Sequence, residues 1–402
     1  MFDPEIIRSH FPFFSHHPEL VYFANAATTQ KPASVIRGIA GFYEKENTNV
    51  HRGLYKLAAN TSQKYEQVRQ KVADYIGAEK KENIVFTSGT TAGINLVAQS
   101  FLAPRLQPGD EVVISIMEHH ANFIPWQQLC KNKKANLRIV PINKKGELDI
   151  SAFKKTISQK TKMVAAVHVS NSLGTINPIK EIIDISHKKN IPVLIDGAQS
   201  AAHFDIDVNK LDADFFVFSG HKMYGPTGIG ILYGKEEFLI NMQPAVFGGD
   251  AIKDVRIEET IFADPPKKFE PGTQNIAGVI GLGLAIGFLN KINKKEARIY
   301  LNKLTEYATD ELKKINGLEI IGRAKNKSAL VSFIFENIHP HDMATFLGAE
   351  NIAVRAGNHC TQPLMDFLKI PGTVRASFSV YNTFAEVDRM VGAVRETEAF
   401  FR

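Results

Sequence analysis

Charged residues stand at the ends of short apolar runs in this chain. Asp196 directly follows the run Ile191 to Ile195, and Lys222 comes shortly after the run Phe215 to Phe218. A carboxylate at the end of a buried strand is costly unless another group pairs with it. A lone lysine is usually a surface residue, but this one follows a strand that should be buried. In open α/β sheets ligands bind beyond the carboxyl ends of the strands, so this acid and amine form a candidate site.

A turn of small residues follows a third apolar run, Ile84 to Phe86. Residues Thr87 to Thr91, with the sequence TSGTT, lead into a predicted helix. The free backbone N–H groups and hydroxyls of such a turn suit a phosphate. The sequence is not a Walker motif, because no Gly-Lys-Ser/Thr follows. Taken alone, the same residues are also typical of an ordinary helix N-cap.

A phosphate-binding turn, a carboxylate and a lysine at strand ends of one sheet match the needs of pyridoxal phosphate. The cofactor requires a phosphate anchor, an acid facing its pyridine nitrogen and an amine that forms a Schiff base. An aromatic or imidazole side chain must also hold the ring, and His119 is the nearest candidate by strand position. On their own, Glu118, His119, His120 and Asn171 could equally be turn residues.

A second cluster lies towards the C-terminus, in the sequence RAGNHCTQP of residues 355–363, and Arg375 follows it. Cys360 stands beside His359 and near Arg355, in an electropositive loop that lowers a thiol pKa and exposes the thiol. Cys130, in the apolar and helical sequence IPWQQLC, fits the commoner role of a small buried hydrophobe.

Two other uses of these residues are weaker. A zinc site could be built from His119, His120, His359 and Cys360, but neither CxxC nor HExxH spacing is present. The two cysteines cannot form a disulfide framework and suit a reducing compartment.

Strands and helices must alternate to position these residues. Helix-length segments separate the apolar runs, which predicts βαβ units and a mainly parallel sheet covered on both faces. The predicted strands are Ile84–Phe86, Val112–Ile116, Met163–Val169, Ile191–Ile195, Phe215–Phe218 and Ile229–Leu232. One long helical pattern then runs from Ile276 towards Asn316. The elements expected beyond it are strands at Leu318–Ile321 and Leu330–Phe335, with helices at His341–Leu347 and Thr383–Phe401.

This pattern predicts an α/β protein with two domains. Residues 21–285 form the large, cofactor-binding domain, and residues 286–402 form a smaller α+β domain that carries the Cys360 loop. Residues 1–20 are expected to pack on the small domain.

Composition excludes several classes of protein. The chain has 402 residues, of which 44% are hydrophobic and 22% charged, so it can bury a sizeable core. Its net charge of +6 is small for a chain of this length, and its runs of lysine are short. We therefore expect neither nucleic acid nor membrane binding. The N-terminal sequence has no signal-peptide pattern, so a soluble, cytoplasmic protein is expected.

Three motifs together carry a family resemblance: DGAQ at 196–199, SGHK at 219–222 and RAGNHC at 355–360. With them, the chain resembles the class V branch of the fold type I pyridoxal phosphate enzymes. More narrowly, it looks like a group II cysteine desulfurase, the branch that also includes selenocysteine lyases. The similarity covers nearly the whole chain, from YFANAATTQKP through NVHRGLYKLA to RASFSVYNT.

The resemblance implies a role for each matching residue around the cofactor. Lys222 would form the Schiff base, Asp196 would face the pyridine nitrogen, Gln199 would face the phenolic oxygen, and His119 would stack on the ring. The residues implied for the phosphate are Thr90, Thr91, Ser219 and His221, together with Thr273 from the other subunit of a homodimer.

The resemblance also implies a substrate and a reaction. Asn171 and Arg375 would hold the substrate carboxylate, with Arg355 close by. The substrate would be L-cysteine, with L-selenocysteine as a second substrate, and Cys360 would take the sulfur as a persulfide. L-alanine would be released, and the sulfur would pass to an acceptor protein that feeds iron–sulfur cluster assembly.

The sequence departs from the family pattern at three places. These are Ser88 and Ala92 in the phosphate turn, Asn358 in the cysteine loop, and the FGGDAI segment that includes Asp250. They bear on dimer coupling and on acceptor specificity. The alternatives to a desulfurase are another class V reaction, either transamination or a kynureninase-like cleavage, and a catalytically silent scaffold.

Overall fold

The structure, a computed structural model, describes residues 2–51 and 53–401. Met1, Arg402 and Arg52 of the NVHRGLYKLA motif lie outside the described residues. The strands of the described part are β1 (Val21–Tyr22), β2 (Ile84–Thr87), β3 (Glu111–Ser115), β4 (Asn136–Val140), β5 (Thr161–Val167), β6 (Val193–Asp196), β7 (Phe215–Ser219), β8 (Gly230–Gly234), β9 (Ile252–Val255), β10 (Thr260–Phe262), β11 (Leu318–Ile321), β12 (Leu330–Phe335), β13 (Ile352–Ala353), β14 (Arg355–Gly357) and β15 (Thr373–Ser377).

Helices cover these strands. Those in the described residues are α1 (Pro4–Arg8), α2 (Pro12–His16), α3 (Ala33–Lys45), α4 (Lys56–Ile76), α5 (Thr90–Leu96), α6 (His120–Lys133), α7 (Ile150–Thr156), α8 (Ile179–His187), α9 (Val208–Leu211), α10 (Glu236–Asn241), α11 (Ile276–Leu289), α12 (Lys294–Lys313), α13 (Pro340–Ala349), α14 (Gln362–Leu368) and α15 (Phe384–Phe401). A π-helical segment, Val97–Leu102, extends α5.

The central sheet has the strand order β2-β8-β7-β6-β5-β3-β4. The strands from β4 to β7 are parallel, whereas β8 runs antiparallel to both of its neighbours. Strands β6 and β7 are buried along their whole length, which explains why they read as continuous apolar runs. The predicted α/β fold with a mainly parallel sheet is confirmed.

A second, antiparallel sheet lies in the C-terminal part, with the order β11-β12-β15-β14. Helices α12 and α13 pack on this sheet, and α15 packs on these two helices. Strand β14 carries Arg355 and ends just before the Cys360 loop, so part of the segment predicted as a loop is a strand.

The helical pattern predicted from Ile276 towards Asn316 forms two helices, because the chain bends by 83° between α11 and α12. The Asn293 side chain accepts a hydrogen bond from the Glu296 N–H and starts α12 as a new helix. Helix α11 is buried over most of its surface and packs on α3 and α4, whereas α12 is amphipathic. In the described residues no single helix has the length and apolarity to cross a membrane, and only the bent pair α11 and α12 meets these criteria together.

The N-terminal segment contacts both parts of the chain. Arg8 pairs with Glu386 at 2.8 Å and donates to the carbonyl of Tyr381. The ring of Phe11 packs on Tyr381 and also on Tyr224, which lies in the 21–285 part. Strand β1 then pairs in parallel with β13. The division into residues 1–20, 21–285 and 286–402, with the first segment packed on the small domain, stays a prediction.

Candidate active site

A cavity of about 310 Å³ opens at the carboxyl ends of β5, β6 and β7, below the Cys360 loop. Its lining combines residues from the central sheet with residues from the C-terminal part. The predicted site residues that line it are Thr90, Thr91, His119, Asn171, Asp196, Gln199, Ser219, His221, Lys222, Arg355, Cys360 and Arg375. Residues predicted from separate parts of the sequence therefore share one cavity.

Thr273 is the exception. It is exposed, in the segment that precedes α11, and does not line this cavity. A role for Thr273 in the site of a second subunit stays a prediction.

The phosphate turn is fixed to the end of β7. The N–H of Thr90 donates to the Ser219 hydroxyl at 2.8 Å, and the two hydroxyl oxygens lie 2.8 Å apart. This contact is possible because Gly89 and Gly230 approach closely: a Cβ on Gly230 would lie 2.5 Å from the Gly89 Cα. Hydroxyls and N–H groups at the start of α5 thus face one end of the cavity, as an anion requires.

Asp196 and Lys222 act on each other electrostatically across the cavity. Burial raises the pKa of Asp196, while the N–H of Ala198, at 2.9 Å, and the charge of Lys222 favour the carboxylate. Burial likewise lowers the pKa of Lys222, and the Asp196 charge opposes this effect. A cofactor ring between them would give the carboxylate a cationic partner and the amine a carbonyl to react with.

His119 is held as a neutral ring. It is the N-cap of α6, and its Nδ1 accepts a hydrogen bond from the Ala121 N–H at 3.0 Å. Burial, and then the positive charge of Lys222, lower the pKa of His119 to about 3. Nδ1 is therefore unprotonated, Nε2 carries the proton, and the flat neutral imidazole is suited to stacking on a ring.

Arg375 is buried, with 3% of its surface exposed, and is only partly satisfied. Its Nη1 donates to the carbonyl of Asn171 at 2.8 Å, but its Nε has no hydrogen-bond partner among the residues that the structure describes. Burial, and then the Arg355 charge from the adjacent strand β14, lower its pKa to about 10. A buried guanidinium with a free donor calls for an anion in the cavity, because unpaired buried charge is costly.

Asn171 and His359 contribute further unpartnered atoms. Asn171 Nδ2 donates to the carbonyl of His359 at 2.7 Å, while Asn171 Oδ1 has no partner within the described part of the chain. His359 Nε2 lies 2.8 Å from the Thr373 hydroxyl, and no described residue forms a hydrogen bond with its buried Nδ1. Buried polar atoms of native proteins are normally hydrogen-bonded, so these atoms indicate a bound polar molecule.

The two cysteines lie in opposite environments. Cys130 is 2% exposed within α6, and burial raises its pKa to about 11, so the prediction of a buried hydrophobe is confirmed. Cys360 is exposed and lines the same cavity as Lys222 and Arg375. It has a left-handed backbone with φ of 57°, as does His359 with φ of 52°. Such strained residues cluster at functional sites.

Glu118 directly precedes His119, and no role was predicted for it from the sequence. It is fully buried, and burial raises its pKa to about 8. Its carboxyl group accepts hydrogen bonds from the Ser115 hydroxyl, the Val167 N–H and the Asn122 amide, which link β3, β5 and α6. The signal that identified Asp196, a carboxylate after an apolar run, was also present at Glu118.

The fold and the site together define a class of protein: an α/β enzyme that uses pyridoxal phosphate. The chain belongs to the aminotransferase class-V family, whose sequence model matches residues 21–390.

Similar sequences are named as desulfurases. The chain is 49% identical to a probable cysteine desulfurase of Halalkalibacterium halodurans, over 95% of this chain and 94% of that protein. It is 44% identical to a cysteine desulfurase of Synechococcus elongatus, over 99% of this chain and 64% of that longer protein.

Similar structures carry the same name. The structure of the Escherichia coli cysteine desulfurase CsdA, in an S-sulfonic acid form, matches with a TM-score of 0.94 and 39% identity, and covers 100% of both chains. The apo cysteine desulfurase of Thermococcus onnurineus NA1 also matches with a TM-score of 0.94, with 40% identity over 98% of each chain.

Proposed function

We propose that the protein is a cysteine desulfurase that converts L-cysteine to L-alanine and takes up the sulfur on Cys360. The observation that carries this proposal is that the exposed thiol of Cys360 faces the same cavity as Lys222 and Arg375. The names of its relatives and its structural neighbours support the same activity. A transaminase, a kynureninase-like lyase or a silent scaffold would have no use for this thiol.

The residues of the cavity fit pyridoxal phosphate. Hydroxyl and N–H donors at one end suit the phosphate, a buried acid suits the pyridine nitrogen, and a neutral imidazole suits the ring face. When bound, the cofactor supplies an electron sink for negative charge at the substrate Cα. We assign the phosphate to Thr90, Thr91, Ser219 and His221, with Thr273 of a second subunit, and the ring to His119, Asp196, Gln199 and Lys222.

Substrate binding begins with its carboxylate. The free Nε of Arg375 and its guanidinium charge bind this group, and Arg355 adds positive charge from β14. Asn171 lies between Arg375 and the Cys360 loop through its two hydrogen bonds, so it can contact the same substrate.

Lys222 moves the proton. Because burial favours its neutral amine, Nζ can accept the proton from the substrate Cα and return a proton to carbon. Burial lowers the pKa of His119 to about 3, so its imidazole is neutral near pH 7. It can therefore orient the cofactor ring without adding positive charge.

Cys360 takes the sulfur. Its thiolate attacks the substrate sulfur, so that a sulfur–sulfur bond forms as the carbon–sulfur bond breaks, and the electron pair of that bond stays on the substrate carbon. Protonation of this carbon gives L-alanine. The enzyme keeps a persulfide, whose outer sulfur passes to the thiol of an acceptor protein.

We also propose that the enzyme acts as a homodimer in the cytoplasm and supplies sulfur for iron–sulfur cluster assembly. L-selenocysteine is a second proposed substrate, because selenium leaves more readily as an anion than sulfur does.

The test is to supply L-cysteine to the purified holoenzyme and to measure alanine and sulfide with and without a thiol acceptor. We expect equal amounts of alanine and transferred sulfur, and a mass increase of about 32 Da, one sulfur atom, on the Cys360 peptide. Mercaptopyruvate in place of alanine, with no sulfur released, would indicate a transaminase, and the absence of any product from a holoenzyme with bound cofactor would indicate a scaffold.

A further inference from the structure

Two adjacent histidines begin helix α6 and contact different parts of the site. His119 caps the helix with its own Nδ1 and lines the cavity. The next residue, His120, contacts the turn that carries the thiol. We call residues 358–362 the nucleophile turn.

His120 makes two hydrogen bonds to the nucleophile turn. Its backbone N–H donates to the carbonyl of Cys360 at 2.7 Å, and its Nε2 accepts from the N–H of Gln362 at 3.1 Å. Since the second donor is a backbone N–H, Nε2 is the unprotonated nitrogen of the ring. Both ends of the short segment from Cys360 to Gln362 are therefore held by one residue of the central-sheet part of the chain.

The nucleophile turn needs such support. His359 and Cys360 both have left-handed backbone conformations, which non-glycine residues keep only when their surroundings enforce them. Gln362 is the first residue of α14, and that helix has no side-chain cap from its own N-cap residue, Thr361. The imidazole of His120 supplies the missing acceptor from another part of the chain.

We propose that His120 is a positioning residue for Cys360. It holds the nucleophile turn so that the thiol faces the cavity in which the substrate sulfur would lie. Because the two histidines are consecutive, the start of α6 positions both the imidazole of His119 and the thiol of Cys360. This inference rests on the proposed desulfurase function and adds a residue to it.

The test compares His120→Phe, which keeps a ring but removes the acceptor, with His120→Gln, whose side-chain oxygen can accept the Gln362 N–H. Both variants retain the backbone N–H. His16→Phe, at an exposed position at the end of α2, is the control for an exchange of histidine for phenylalanine.

The main measurement is the rate of persulfide formation on Cys360 after one pulse of L-cysteine, followed by mass spectrometry, with bound cofactor measured by its visible absorbance. We expect His120→Phe to be slower by about tenfold or more with full cofactor, because small misplacement of a reacting group has large effects on rate. His120→Gln should recover most of the rate, and His16→Phe should match the unchanged protein. Equal rates in all four proteins, equal losses in the Phe and Gln variants, or loss of cofactor in both would overturn the proposal.

A second measurement does not depend on turnover. Iodoacetamide alkylates exposed thiols. The rate of alkylation of the Cys360 peptide therefore reports the accessibility and reactivity of that thiol, while buried Cys130 stays unmodified. We expect the rate in His120→Phe to differ by about threefold or more from the unchanged protein, and that in His120→Gln to stay close to it. If the unchanged protein forms no persulfide, the proposed function fails, but the alkylation rates still decide the positioning role; equal alkylation rates would then overturn it.

Discussion

At the scale of single residues, the cavity holds several ionisable groups whose charged forms are disfavoured by burial. Burial lowers the pKa of Lys222 and of His119 and raises that of Asp196. Each buried group therefore gains from a partner that completes its charge or its hydrogen bonds, and a cofactor with an amino acid supplies all of them at once.

Lys222→Ala tests the amine. In the proposed mechanism this variant loses the covalent link to the cofactor and the base that moves the Cα proton, so alanine formation should fall by roughly 100-fold to 10,000-fold. The phosphate contacts proposed for Thr90 and Ser219 are unchanged, so the variant should still bind pyridoxal phosphate by equilibrium dialysis. Turnover close to that of the unchanged enzyme would exclude Lys222 as the base.

Arg375→Lys tests recognition of the substrate carboxylate. Lysine keeps the charge but not the planar fork, so use of L-cysteine should weaken by roughly tenfold to 100-fold while cofactor absorbance stays unchanged. The measurement is kcat/KM for L-cysteine. An equal loss for an analogue without a carboxylate would assign Arg375 a structural role in β15 instead.

Cys360→Ser and Cys130→Ser form a matched pair. Cys360→Ser keeps size and a hydroxyl but removes the nucleophile, so desulfuration should fall by orders of magnitude, with cofactor binding intact and selenocysteine still processed. Cys130→Ser, at a buried position in α6, should change only the thermal stability. A persulfide on the Cys130 peptide after a pulse of cysteine would contradict this assignment.

At the scale of elements, the position of the phosphate turn depends on how closely Gly89 approaches Gly230 of strand β8. In Gly230→Ala the new Cβ would meet the Gly89 Cα at 2.5 Å, so the turn must move away from Ser219. We expect the dissociation constant of pyridoxal phosphate to rise by about tenfold or more, which corresponds to roughly 1.4 kcal/mol.

The matched control is Gly287→Ala. Gly287 lies within α11, and a Cβ there would have nothing within 4 Å, so this variant should bind cofactor normally and be as stable or slightly more stable. Fluorescence titration of both apoproteins with pyridoxal phosphate measures the difference. Unchanged affinity in Gly230→Ala would show that the turn does not need the Ser219 contact.

Much of the sheet could be predicted from sequence because strands buried on both faces read as apolar runs. The edge strand β4, Asn136–Val140, was missed because it is mostly exposed and lacks such a run. The helical pattern from Ile276 was predicted, but the break in it was not, because the apolar pattern of α11 leads directly into the amphipathic pattern of α12 and the Asn293 cap marks the boundary.

The site was predictable for the same reason, since Asp196 and Lys222 follow buried strands. The roles of Glu118 and His120 were not, because they depend on contacts to residues far along the chain, Val167 and Gln362. Which of several polar residues after a strand faces the cavity is decided by packing, which a single sequence does not display.

At the scale of the whole molecule, buried histidines link stability to pH. Burial lowers the pKa of His168 to about 4, from an ordinary value of 6.5. The unfolded chain then binds the proton more readily, so this group stabilises the fold fully above pH 6.5, and the contribution is lost as pH falls towards 4. His119 and His359, with pKa values lowered to about 3, act in the same direction.

The fold should therefore lose stability on acidification from pH 7 to pH 5. In His168→Phe the dependence of the unfolding free energy on pH should be flatter between pH 6.5 and pH 4, by at most about 1.4 kcal/mol per pH unit, the value for one proton. Denaturant unfolding at several pH values measures it. The same slope in both proteins would mean that His168 is protonated in the folded state.

The pairing of β1 with β13 joins distant parts of the chain, since Val21 lies opposite Ile352 and the Phe23 carbonyl accepts from the N–H of Ser377. During synthesis Val21 and Phe23 leave the ribosome long before these partners do. The apolar side chain of Phe23, which packs on Phe378, must stay exposed until then. A nascent chain can thus form its central sheet before the Cys360 loop is made, and a chain released early would present Phe23 to chaperones and proteases.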